Sequence, residues 1–160
     1  MKKMLFVAVL FFMMGGPRAQ SIADARKMLY YERYDGAAHS LQSLLRTDPN
    51  NAEAWWLLTR VYLHDGNTQV LHDSLSRMPA AIAQQPFALC AYGQMFLAEH
   101  KKDSAAAYFT KALTITKEKD PLILLAIARA QQIADSTEAQ YAVQLLTKAI
   151  KRDKRNPELY

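Results

Sequence analysis

Few side chains in this sequence have the types and spacing to do chemistry. Cys90 is the only cysteine, and no His or Asp stands at a spacing that would make its thiol a nucleophile. His64 and His72 each precede an aspartate, Asp65 and Asp73, but the spacing is not that of a tight metal-ligand set. His39 and His100 add nothing to it. No phosphate-binding Gly-rich loop, G-x-S-x-G or H-E-x-x-H occurs. The expectation is a protein that is not an enzyme and needs no cofactor or metal. What remains is the chemistry of recognition. Arg26 and Arg60 lie 34 residues apart, and a guanidinium grips a carboxylate through two parallel bonds. Trp55 and Trp56 are adjacent. Neighbours on a helix point about 100° apart, so one packing face does not take both rings. One is expected in the core and the other on a binding surface.

These residues must be positioned by helices. Of 160 residues 51% are hydrophobic, with only 5 Gly and 6 Pro, a balance that disfavours disorder and favours helix. No stretch alternates at period two for long enough to suggest a strand. Apolar residues recur at three and four spacings on both sides of short polar breaks, "YDG" at 34–36, "HDGN" at 64–67 and "HKKD" at 100–103. The pattern predicts helix pairs 21–33 with 36–47, 52–65 with 68–78, 86–99 with 102–117, and 121–134 with 138–153. Pro86 and Pro121 suit the first turn of a helix. Pro79 should end one, which leaves 80–85 as a turn or a short extra helix. The basic run "KRDKR" at 151–155 falls at a helix C-terminus, where cations face the negative end of the dipole.

The first residues read as a secretory signal peptide, 1–19. Lys2 and Lys3 precede an apolar run from Met4 to Met14 that is too short to span a membrane, which takes ~20 apolar residues. Cleavage is expected after Ala19. Removing Lys2, Lys3 and Arg18 lowers the formal charge from +5 to +2, and with it the case for a nucleic-acid partner.

Shifted against itself by 34 residues, the chain places Trp55 on Leu89, Leu58 on Tyr92, Tyr62 on Phe96, and Leu41 on Leu75 and then Phe109. Small residues meet likewise: Ala25 falls on Thr59 and then on Gly93. Trp55-x2-Leu58-Thr59-x2-Tyr62, Leu89-x2-Tyr92-Gly93-x2-Phe96 and Ala105-x3-Phe109 resemble the tetratricopeptide repeat pattern, W-x2-L-G-x2-Y followed by A-x3-F. Tyr34-x2-Ala37-x3-Leu41 carries the first unit. Ala142-x3-Leu146 carries the fourth, the weakest match, with a turn expected to be about two residues longer.

The resemblance implies an all-α fold, a right-handed α-solenoid of about four helix pairs over residues 20–160, with units near 20–51, 52–85, 86–119 and 120–156. In the family the first helix of each pair lines a concave wall that holds extended peptides or a partner's helix. By matching position that wall would carry Arg26, Leu29, Tyr30, Trp56, Arg60, His64, Phe87, Gln94, Leu97 and Arg129. Trp55 belongs to the packing layer and Trp56 to the groove, so Trp56→Ala is expected to weaken capture and leave melting nearly intact.

Aromatics beside cations suit a peptide with an apolar anchor and a nearby acidic group or C-terminal carboxylate. The implied function is an exported scaffold, periplasmic or secreted, binding a protein or peptide. Nucleic acid is not an expected partner, and membrane contact would come only through an uncleaved leader. "NPELY" at 156–160 reads as the start of a further unit, which leaves the last apolar face without a cap. The alternative functions are therefore an assembly module that meets a partner or a second copy, as a homodimer, through that end, and a membrane-tethered adaptor whose N-terminal anchor is not cleaved.

Overall fold

The computed structural model describes residues 21–132 and 136–159; the expected signal peptide, 1–19, lies outside them. It turns the repeated pattern into α1 (Ile22–Tyr30), α2 (Tyr34–Thr47), α3 (Ala52–His64), α4 (Thr68–Leu75), α5 (Pro86–Ala98), α6 (Lys102–Thr116), α7 (Pro121–Gln132) and α8 (Ser136–Arg152). A 3-10 turn, Pro157–Leu159, follows. Among the described residues there is no strand.

Local chemistry sets the helix starts. The first N–H groups of a helix lack intrahelical partners, and a short polar side chain supplies one. Ser21 and Asp24 form a capping box on α1. Asn51 accepts from Ala54 N at 3.0 Å and Asn67 from Val70 N at 3.0 Å. Asp120 accepts from Leu122 N at 2.9 Å. Pro86 opens α5, where its missing N–H costs nothing.

The turns inside the first three pairs are copies of one another. Glu32, Gly66 and His100 all have left-handed backbones, with φ of 55°, 67° and 60°, and they stand 34 residues apart. After each, an N–H reaches back across the helix end: Arg33 N to Met28 O, Asn67 N to Tyr62 O and Lys101 N to Phe96 O. These are helix-terminating bonds of the Schellman kind.

The second helices begin at Tyr34, Thr68, Lys102 and Ser136, in strict 34-residue register. The fourth turn, expected to be about two residues longer, falls at 133–135, outside the described residues. In α8 the buried positions Ala142, Leu145 and Ala149 come late in the helix. Helix α4 ends at Leu75, before Pro79, and 80–85 is a run of turns, with Ile82 N bonded to Pro79 O and Gln85 N to Ile82 O. Met78 and Ile82 are buried and anchor this loop.

Packing builds an α-solenoid. The odd-numbered helices pack in series, α1 on α3, α3 on α5 and α5 on α7. Helices α2, α4 and α6 each pack on their own partner and on the first helix of the next pair, and α8 packs on α7. The core runs unbroken through the stack, as expected when no pair can bury its own apolar face. Its tightest point is Gly93, where a Cβ would lie 2.3 Å from Cε1 of Phe109. The matching position in the second pair holds the larger Thr59, whose hydroxyl donates to Trp55 O at 3.0 Å, and there Leu75 stands where the third pair has Phe109.

Candidate binding groove

The odd-numbered helices carry the residues of interest. Pro121 follows Pro86 by 35 residues, one more than the repeat. With that step, Arg26, Arg60, Gln94 and Arg129 occupy one position in four successive first helices, a polar ladder along the stack.

The rungs are bonded differently. Arg26 donates from Nε to Glu53 Oε1 at 2.6 Å, and a second guanidinium nitrogen lies 3.6 Å from Glu158 Oε1. Burial pushes the Glu53 carboxyl up, and the neighbouring Arg26 pulls it back. Arg129 donates to the backbone carbonyl of Glu158 at 3.2 Å and lies 4.0 Å from its carboxylate. Arg60 stacks its guanidinium over the Trp56 ring, 5.4 Å from the centroid. Burial lowers the Arg60 pKa to about 10; Arg129 pushes the same way and Glu158 opposes it. Gln94 is 5% exposed. Its Nε2 donates to Ala126 O at 3.4 Å, and its Oε1 has no partner.

Beside the ladder lies an open cavity of about 560 Å³. Arg60, His64, Gln94, Leu97 and Arg129, five of the residues placed on the wall by register, line it. Tyr34, Leu63, His100 and Lys102 line it too, and the Tyr34 and His64 rings stack with centroids 3.5 Å apart. Sequence reasoning missed these four and set His100 aside. The signal was present: Tyr34 and Lys102 both open a second helix in the 34-residue register, and His100 is the left-handed residue of its turn.

Two wall assignments, Trp56 and Leu29, need correction, and three more residues, Arg26, Tyr30 and Phe87, stand outside the cavity lining. Trp56 is 1% exposed, stacked against Phe87 with centroids 5.2 Å apart and covered by Arg60. It supports the wall from behind and does not present its ring. Trp55, the expected core residue, is 7% exposed and donates from Nε1 to Pro49 O at 2.9 Å, so both tryptophans are interior. Leu29 is buried. Phe87 is half-buried against Trp56 and is not among the cavity's lining residues. Tyr30 is well exposed, edge-on to Tyr31, and also stands outside the lining. Leu159, expected on an open end face, is buried.

A profile of the tetratricopeptide repeat matches residues 22–69, which span α1, α2 and α3. The chain belongs to the tetratricopeptide repeat family. Over 113 residues, 69% of its length, this tetratricopeptide repeat protein is 34% identical to the cellulose synthase 1 operon protein C of Komagataeibacter xylinus. The match spans 8% of that relative's length. Among solved structures, a crystal structure of MamA protein aligns over 83% of this chain and 71% of that one, with 19% identity and a TM-score of 0.48. A second MamA crystal structure aligns over 84% and 75%, with 19% identity and a TM-score of 0.45.

The repeat architecture is that of a protein–protein interaction scaffold. Cys90 is buried inside α5, and desolvation drives its thiol far above the usual range, so it carries no thiolate at neutral pH. His72 pairs with Glu99 at 2.5 Å, away from His64. No described helix is long and apolar enough to cross a membrane.

Proposed function

We propose that this protein is an exported scaffold that holds an extended, acidic segment of a partner protein against its concave wall. The cavity carries the reading: Arg60, His64, Gln94, Leu97 and Arg129 meet around one space, as register on four repeats predicts for a shared binding surface. Arg60 and Arg129 supply charge, and Leu63 and Leu97 supply apolar contact. A segment with a carboxylate beside an apolar side chain satisfies both.

Export is supported by the pattern of residues 1–19, and mass spectrometry of the mature N-terminus tests it; cleavage after Ala19 is the expected result. The relative's name directs the search for a partner first to a cellulose synthase assembly. A photo-crosslinking residue at His100, which is exposed at the cavity rim, should trap the partner in cells, and Arg129→Glu should abolish the adduct. Adducts at Tyr141 on the exposed side of α8, with none at 100, would transfer the function to the end of the stack.

A further inference from the structure

The ladder already holds a piece of this chain. After α8 the backbone turns through 153–156, with Asn156 N bonded to Asp153 O. The Asn156 side chain then caps the 3-10 turn by accepting from Glu158 N at 3.0 Å. This sets Glu158 between Arg26 of α1 and Arg129 of α7, the first helices of the first and last pairs, while Leu159 is 5% exposed and joins the core. An acidic side chain next to an apolar one, held by arginines, is the chemistry assigned above to the partner.

We infer that residues 156–159 are a built-in ligand of the groove: a partner segment carrying a carboxylate beside an apolar residue competes with Glu158 and Leu159 for the arginine ladder and displaces them. The inference rests on the groove reading of the proposed function.

The hold on the segment is modest. It consists of one hydrogen bond from Arg129, two ion-pair contacts at 3.6 and 4.0 Å, and one buried leucine. The three side chains of the ion pairs keep 20–30% of their surface in water, where such pairs contribute little. The short tether to α8 works the other way, because a ligand on a short link has an effective concentration of about 1 mM. A partner must therefore bind more tightly than this weak but local competitor. Its apparent affinity is reduced by the fraction of molecules whose groove is free. Arg60, stacked on Trp56 and not bonded to Glu158, stays available for the first contact.

The test uses a fluorescein-labelled, C-terminally amidated peptide, Arg-Asn-Pro-Glu-Leu-Tyr, titrated by anisotropy into the full chain. Glu158→Gln and Leu159→Ala chains, each checked for folding by circular dichroism, should bind the peptide about tenfold or more tightly than the unaltered chain. Adding Arg129→Glu to Glu158→Gln should remove the gain. Equal affinity for altered and unaltered chains would overturn the built-in ligand and leave the groove reading standing. No binding by any folded chain would overturn both. Tight binding that survives Arg129→Glu would remove the ladder as the shared site and overturn the inference. Glu158→Gln preserves side-chain shape, so a folding loss in Leu159→Ala alone leaves the comparison intact.

Discussion

On the outward helices polar side chains meet each other near the surface, whereas those of the ladder are sunk below it, and one of them, Gln94, keeps an oxygen without a partner. Lys111 reaches Gln84, Lys148 pairs with Glu118, and Gln69 donates to Asp73 at 3.1 Å. All of these groups are exposed or only half-buried, and pairs of this kind contribute ~0–1 kcal/mol. Inside the curve, burial works against the charges of Arg60, Arg129 and Glu53, and Gln94 keeps a bare oxygen. A buried polar group without a partner costs stability, so the two sides differ in what their polar groups contribute to the fold.

The largest expected effect breaks the idea that Trp56 is dispensable to the fold. Trp56→Ala should cost roughly 3–5 kcal/mol, as truncation of a buried aromatic does, and match Trp55→Ala in urea denaturation. A melting curve close to that of the unaltered chain would return Trp56 to the surface.

Next comes the packing layer that both walls share. Gly93→Ala forces a methyl into the Phe109 ring and should destabilise by roughly 1–3 kcal/mol. The double variant Gly93→Ala, Phe109→Leu imitates the second pair and should recover part of that loss. A double variant no better than the single would show that the two positions do not compensate.

Gln94→Leu sharpens the contrast between the walls. Removing the unpaired oxygen should change stability by no more than about 1 kcal/mol in either direction, while partner capture at position 100 falls. Lys111→Ala on the outward side should move neither by a measurable amount. Equal capture in both variants would erase the distinction.

The smallest effect is electrostatic. The hydrogen bond from Lys101, joined by that from His72, holds the Glu99 carboxyl below its ordinary value against the opposing effect of burial. The unfolded chain takes up this proton at a higher pH than the folded one, so the contribution is complete above the ordinary carboxylate range. It drains away as pH falls through that range toward the lowered value. Glu99→Gln should therefore lower the melting temperature slightly at neutral pH, where the contribution is complete, and flatten the acid limb, so that the two curves converge at low pH.

Much of this could be read from the sequence because a repeat states its structure several times. Trp55, Leu58 and Phe109 fell into the core by register, and the breaks at 64–67 and 100–103 marked turns that share one left-handed residue, whereas the break expected at 34–36 is the first turn of α2 and the left-handed residue of that turn is Glu32. The groove was legible in part. Arg60, His64, Gln94, Leu97 and Arg129 were placed on the wall and do meet, whereas Tyr34 and His100 were passed over because they sit at helix junctions, outside the first-helix pattern. Trp56 was misplaced because a 34-residue register gives the direction of a side chain and not the depth of what lies over it. Arg60, one turn along α3, and Phe87, from α5 of the next pair, supply that depth.

The sequence by itself determined the helices, their pairing and the side of each helix that packs. Those rest on caps, on apolar spacing and on contacts between neighbouring pairs, all of which are local. Only the tertiary structure decided that Glu158 would stand between Arg26 and Arg129. That meeting depends on the small rotation from each pair to the next, summed over the solenoid, and no single repeat contains the sum.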